Sequence, residues 1–201
     1  MIRFLFFCLL FVSPLSLAAV NTLQDLQHQL AQHPLIRGHF DQKRIMALFE
    51  QPLLSSGQFT LSHSDGLIWQ QDEPFPVHLV LTQNKLQQTF ADQPPQLITA
   101  QDNPMAFYFS HIFLAVFHGD TDQLTRQFTL TLIPGARWTL TLTPKSAPLD
   151  QVFDSIILSG QQYIDTLSLH EVRGDVTEMM FTQQSTQPET LTDAEKAQFN
   201  F

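Results

Sequence analysis

Residues Asn103 to His118 read NPMAFYFSHIFLAVFH, and the interpretation of this stretch decides the fold. Pro104 suits the first helical position, Asn103 can cap it and Gly119 ends it, so the segment is predicted to be one helix of about four turns. Met105, Ala106, Phe107, Phe109, Ile112, Phe113, Leu114, Ala115, Val116 and Phe117 leave it almost no polar face. A helix apolar all round must be covered on every side. It falls short of the roughly twenty apolar residues that cross a bilayer. The rest of the chain reads mostly as sheet, so the helix is either covered by that sheet or covers an apolar hollow in it.

Working outward, Arg126 to Ile133 alternates Phe128, Leu130 and Leu132 with threonines, Pro134-Gly135 turns the chain, and Ala136 to Thr143 repeats the pattern with Trp138, Leu140 and Leu142. Period two over two such runs is a hairpin signature. Val152 to Leu158, Gln161 to His170 and Asp175 to Gln183 continue the meander. On the N-terminal side, Ile36, Gly38, Phe40 and Gln42 alternate with Arg37, His39, Asp41 and Lys43. Strands are expected again at Gly57 to Leu61, Gly66 to Gln70, Pro76 to Thr82 and Lys85 to Phe90, with turns at Ser62 to Asp65 and Gln83-Asn84. Asp92 to Asn103, with Pro94-Pro95, reads as a loop, and a short polar turn is expected after Gly119. Asn21 or Thr22 caps a first helix to about His33, with Leu23, Leu26 and Leu30 on one face. Near the C-terminus, Thr192 and Glu195 form a capping box for one helical turn, and Phe199 to Phe201 reads as extended. About ten antiparallel strands, with one helix before them and one in their midst, predict a mainly β chain: a highly curved sheet or barrel with an aromatic inner face that includes Phe40, Phe59, Trp69, Phe90, Phe128 and Trp138.

Met1 to Ala19 has a basic Arg3, an apolar run from Phe4 to Val12, and small residues at Ser16, Ala18 and Ala19. This pattern is an export signal, which leaves residues 20–201 as a single exported domain. Cys8 lies inside the apolar run with Phe6 and Phe7 before it, not after a small-residue box, so lipidation is excluded. A mature chain without cysteine suits a bacterial periplasm. One of the ten basic residues, Arg3, belongs to the leader, leaving nine against 19 acidic ones. That balance disfavours nucleic acid and anionic membranes, both of which need a basic face.

Several short motifs occur in a shared order: the first amphipathic helix, Phe40-Asp41-Gln42 on a strand, Ser56-Gly57, the strand bearing Trp69, Asn103-Pro104 opening the apolar helix, Leu142-Thr143-Pro144-Lys145, and the run from Asp193 to Phe201. In that order the chain resembles the periplasmic carriers of outer-membrane lipoproteins, the LolA family. The resemblance implies an unclosed antiparallel β-barrel with a helical lid over an apolar cavity that holds acyl chains of a lipoprotein or another envelope lipid. It implies an inner-membrane release complex that loads the carrier and an outer-membrane receptor that unloads it. A monomer without cofactor is expected. The residues expected at the cavity and lid are Phe40, Phe59, Leu61, Trp69, Leu79, Leu81 and Phe90 from the first strands. From the helix they are Phe107, Phe109, Ile112, Phe113 and Phe117, and from the later hairpin Trp138 and Leu140. In the hairpin before the Trp strand, where the family has an Arg-Pro pair whose arginine helps to hold the lid, this chain has His63-Ser64, and it stops at Phe201 without the family's C-terminal extension. His63 is the candidate replacement, pH-dependent because histidine titrates near neutrality; the bland alternative is a solvated turn residue.

Three other functions compete. An adaptor or scaffold with a filled core would use the same apolar residues for packing alone. For an envelope lipid-processing enzyme, the chain offers no G-x-S-x-G, no H-E-x-x-H, no phosphate-binding glycine loop and no cysteine nucleophile. His111 and His118 lie seven residues apart, about 10 Å along a helix, which is too far to share a metal. An outer-membrane barrel would need longer strands than these.

Overall fold

The computed structural model describes residues 19–91 and 93–201, apart from the side chains of Met105, Ala106 and Phe109. The predicted export signal therefore lies outside the described residues, save for Ala19. Helix α1 (Leu23–Ala31) opens with a capping box: the Asp25 N–H donates to Thr22 Oγ1 at 3.0 Å and the Thr22 N–H donates to Asp25 Oδ2 at 2.9 Å. This satisfies two amides that a helix start leaves free. Leu26 and Leu30 on its apolar stripe are buried.

Strands β1 (Leu35–Ile45), β2 (Leu53–Ser62), β3 (Gly66–Glu73), β4 (Val77–Leu81), β5 (Lys85–Phe90) and β6 (Gln96–Thr99) follow. Helices α2 (Pro104–His118) and α3 (Thr121–Gln127) lead to β7 (Phe128–Ile133), β8 (Trp138–Pro144), β9 (Phe153–Gly160), β10 (Ile164–Glu171), β11 (Val176–Ser185) and α4 (Asp193–Gln198). All eleven strands form one antiparallel sheet in the order β6, β5, β4, β3, β2, β1, β11, β10, β9, β8, β7. The chain starts in the middle of the sheet, winds to one edge, crosses to the other through α2 and α3, and winds back until β11 pairs with β1. The two edges, β6 and β7, do not pair, so the barrel is unclosed. This crossing is what places the apolar helix over the inner face.

The register sets that face. Ile36 lies opposite Leu61, Phe40 opposite Gly57 and opposite Phe181, and Gly38 opposite Phe59. A Cβ at Gly38 would lie 2.8 Å from the Phe59 ring, so glycine there makes room for it. Period-two side chains then form one continuous core that includes Phe40, Phe59, Phe128, Trp138, Leu142 and Leu158.

Three details differ from the sequence reading. Gln96–Thr99, inside the expected loop, is an edge strand pairing with β5; four residues are too few for alternation to show. The polar stretch after Gly119 is α3, capped by Asp120, whose side chain accepts from the Gln123 N–H at 2.9 Å. Only Thr121 and Leu124 are buried on it, too few for an apolar stripe. Phe199 is not extended; with φ −81° and ψ −8° it caps the six residues of α4 in helical geometry.

Because the strands are antiparallel, their turns alternate between two ends of the sheet. At one end the turns meet the helices and the N-terminal segment. His111 Nε2 lies 2.8 Å from the Gln83 carbonyl, Gln29 donates to the Gln161 carbonyl, and Val20 and Gly135 exchange backbone hydrogen bonds. The other end, with the β1–β2, β3–β4 and β10–β11 turns, is left open.

Candidate functional site

The position of α2 is fixed first at its end. Gly119, at φ +65°, lets the Asp120 N–H reach the Ala115 carbonyl at 2.9 Å while its own N–H reaches that of Val116 at 3.2 Å. These two bonds satisfy carbonyls that the last turn would leave free. Glycine is needed twice over: a Cβ at Gly119 would lie 2.9 Å from Leu30 Cβ, so the absence of a side chain lets α1 seat against the end of α2.

Phe107, Ile112, Leu114, Ala115, Val116 and Phe117 on α2 are buried. Phe117 packs edge-on to Phe181 (centroids 5.3 Å apart), which itself packs edge-on to Phe59 at 5.4 Å; Phe40 stacks on Trp69 at 3.6 Å. These rings fill the middle of the hollow. Beside them a cavity of about 300 Å³ remains between Ser110, Ile112, Phe113 and Val116 of α2 and the inner faces of two strand groups. Leu67, Leu79, Leu81 and Leu86 form one wall, and Phe153, Ile156, Leu167 and Leu169 form the other. Among the described residues Ser110 is the one polar side chain in the lining. A larger groove of about 870 Å³ at the open end has a mixed lining, with Leu54, Leu167, Met179 and Met180 beside Asp41, Lys43, Glu73 and Glu178, and lacks the almost wholly apolar character of the cavity.

The residues expected at the cavity therefore divide. Leu79, Leu81, Ile112 and Phe113 line it. Phe40, Phe59, Leu61, Phe107, Phe117 and Leu140 are buried in the surrounding core, with Trp69 half-buried on Phe40. Trp138 lies at the helix-covered end, fully buried, its Nε1–H donating to the Gln161 carbonyl at 2.9 Å. Phe90 stands at the open end, 36% exposed, and the side chain of Phe109 lies outside the described residues. Leu67, Leu86, Ile156, Leu167 and Leu169 were not singled out, although strand alternation puts them on the same face. Alternation identifies a face, not which part of it stays unfilled.

His63 meets α2. Its ring stacks on that of His118, the last residue of the helix, at 4.1 Å between centroids and 16° between planes. Burial, reinforced by His63 and opposed by Asp120, pushes the His118 imidazole down to about 4, so it is neutral at pH 7. Among the described residues no group of histidine, cysteine, aspartate or glutamate is placed to hold a metal ion, and no helix is long and apolar enough to cross a membrane.

Residues 32–201 match the family model for the outer membrane lipoprotein carrier protein LolA. No curated protein matches the chain. Among solved structures it is similar to a LolA superfamily protein from Nitrosomonas europaea, at TM-score 0.46 and 9% identity, over 87% of this chain and 96% of that one. It is also similar to the Pseudomonas aeruginosa MucA/MucB complex, at TM-score 0.47 and 17% identity, over 86% of this chain and 62% of that one. A DUF1329 family protein from Desulfovibrio piger is similar at TM-score 0.47 and 11% identity, over 86% and 93%. With most of its length matched by the family model, the chain belongs to the outer membrane lipoprotein carrier LolA family.

Proposed function

We propose that the protein carries the acyl chains of a lipoprotein, or of another envelope lipid, through the periplasm, with the cavity beneath α2 as the binding site and α2 as its lid. The observation that carries this reading is the unfilled, almost wholly apolar space between Phe113 and the leucines of β3, β4 and β10. Its volume stands at the lower end of ligand sites, about 300–1,000 Å³. A methylene takes up about as much room as a water molecule, roughly 30 Å³, so sixteen carbons need on the order of 500 Å³. Holding a whole chain beneath the lid therefore requires α2 to move outward.

That requirement also permits release. Burying sixteen carbons is worth on the order of 13 kcal/mol gross, at about 0.8 kcal/mol per methylene, which by itself would trap the lipid. Displacing α2 gives up contacts of Ile112, Phe113 and Val116 with the strands and offsets much of it, which leaves an affinity suited to hand-over. Loading by an inner-membrane release complex and unloading by an outer-membrane receptor complete the reading.

Native mass spectrometry of the purified protein tests it. Acyl lipid should be found bound, or the lipid-free protein should take up a sixteen-carbon fluorescent fatty acid in an equimolar complex. Protein that is repeatedly bare and takes up no probe would instead be an adaptor with a closed core.

The His63–His118 stack is proposed as the latch of the lid. The titratable groups around it are Asp65 from the β2–β3 turn, His111 from α2 and Asp120 ahead of α3; α1 contributes only Gln27 and Ala31. In the closed state the His118 pKa stands near 4, and on an outward-swung helix it returns towards the ordinary 6.5. Protons therefore bind the open state better, and closure is fully favoured above pH 6.5 and weakens as pH falls towards 4. Release of a bound fluorescent fatty acid is expected to be several-fold faster at pH 5 than at pH 7, and nearly flat with pH in His118→Asn. Equal slopes in the two proteins would refute the latch.

A further inference from the structure

At the end of the sheet where the helices sit, the turns are engaged by other parts of the chain. At the opposite end several exposed side chains are apolar. Leu48 and Phe49, in the β1–β2 turn, are 93% and 58% exposed, and Leu53 and Leu54 follow them at the start of β2. Phe75 in the β3–β4 turn is 60% exposed and Val172 in the β10–β11 turn 48%. Exposed apolar residues grouped at one place mark an interaction site, whereas single ones do not.

Two contacts relate this end to the cavity walls. Phe90 pairs with Val77 on the strand face that carries Leu79 and Leu81. On the other wall, the Val172 N–H donates to the Val152 carbonyl at 3.0 Å, next to Phe153 of the cavity. The shape of the rim and its charge indicate what it meets. The apolar side chains project from the β3–β4 turn and from the β1–β2 and β10–β11 turns, which are joined by the Ala47 N–H donating to Asp175 Oδ1 at 3.1 Å, and a solid partner would have to offer a matched pocket to each group at once. A fluid bilayer surface needs no such match. The charges among them are mainly acidic, with Glu50, Glu73, Glu171, Asp175 and Glu178 against Lys43, Arg44 and Arg173. Lys43 faces Glu178 at 3.7 Å, and Arg44 faces Glu171 at 3.3 Å and Asp175 at 3.8 Å, so little free positive charge is left. Such a rim is repelled by anionic headgroups and tolerates uncharged ones.

We propose that the open end is a docking surface for an uncharged lipid bilayer, with the β1–β2 and β3–β4 turns inserting among the headgroups so that the cavity lining runs on into the acyl region. The proposal rests on the carrier reading for its cargo, but docking itself is a separate property. Flotation of the full chain with phosphatidylcholine vesicles should bring the protein up with the lipid, with little dependence on salt, and phosphatidylglycerol vesicles should retain less. Replacing both Leu48 and Phe49 by serine should lower the bound fraction about tenfold or more, because two inserted apolar side chains are removed. Ile133→Ser should leave it unchanged, since Ile133 is as exposed, at 62%, but lies in the β7–β8 hairpin at the other end. Uptake of a fluorescent fatty acid from vesicle-free solution should survive in both variants. Its absence from the wild type counts against the carrier reading, and lost flotation with uptake intact counts against docking alone. Wild type that does not float, binding confined to phosphatidylglycerol, or a dimer in sedimentation velocity that the serines disperse would each overturn the proposal.

Discussion

Arg37→Ala is expected to cost about 2–3 kcal/mol of stability and to free the C-terminal segment from the outer face of the sheet. Arg37 projects outward from β1, where its Nε and Nη2 donate to the two carboxylate oxygens of Glu195 at 2.6 and 2.7 Å. Its Nη1 donates to the Pro188 carbonyl at 2.8 Å and Nη2 to that of Thr190 at 3.1 Å. One guanidinium thus holds both the segment before α4 and the helix itself. Thr60 Oγ1 donates to the same carboxylate at 3.3 Å, and Thr192 donates to it through its amide at 2.7 Å and its hydroxyl at 2.9 Å. The two charged side chains are 18% and 15% exposed, so screening by water is limited. Removing one partner of a largely buried pair leaves the other charge uncompensated, at about 3–5 kcal/mol when burial is complete and less here. What the clamp protects is visible beneath it: Ile68 and Val80 point to the outer face yet are 6% and 0% exposed. Arg37→Lys should recover only part of the loss, because an ammonium cannot make the paired contact.

The clamp also sets a pH dependence. Hydrogen bonds from Arg37 first, then from Thr192, hold the Glu195 carboxyl down at about 2 against the opposing effect of burial. A depressed carboxylate stabilises the fold above its unfolded value of 4.5, and that contribution is lost as pH falls towards 2. Urea unfolding of wild type should therefore weaken between pH 5 and 3 more steeply than that of Arg37→Ala. Parallel curves would show that the pair contributes nothing.

Much of this architecture was legible from local signals. Phe128, Leu130 and Leu132, then Trp138, Leu140 and Leu142, around Pro134-Gly135, announce a hairpin because period two puts every apolar side chain on one face. Pro104 and Gly119 bracket α2 because each suits one end of a helix and disrupts the other. The family could be named from short motifs in order. What could not be read were relations across the chain. The resemblance points to His63 as a lid contact but not to its partner His118, a helix end 55 residues away, and the Arg37–Glu195 pair spans 158 residues. The pairing of β1 with β11, which makes one sheet of two meanders, is of the same kind. The site suffered from this most. Phe40, Phe59 and Leu81 have the same pattern in sequence, yet two are packed among rings and one faces empty space, a difference decided by how α2 lies across them.

The cavity is tested most sharply by filling it. Leu169→Trp should weaken binding of a sixteen-carbon fluorescent fatty acid about tenfold or more while leaving thermal stability unchanged or raised. Leu169 lines the cavity from β10 beside its strand partner Ile156, facing Phe113 and the leucines of β3 and β4 across about 300 Å³ of unoccupied space. Beyond the leucine it replaces, an indole takes the room of roughly two methylenes, worth about 1.6 kcal/mol at 0.8 each, or somewhat more than tenfold in affinity. The two outcomes separate because a large-for-small change costs about 1–3 kcal/mol only where the core is already full. In an open space the added ring instead gains contacts that the leucine lacked. A carrier should therefore hold its ligand more weakly and keep its fold. A filled adaptor core would behave in the opposite way, unfolding at a lower temperature with nothing to lose in binding. Leu140→Trp is the matched control, since Leu140 is 3% exposed in the packed core away from the cavity and should be destabilised by the same substitution.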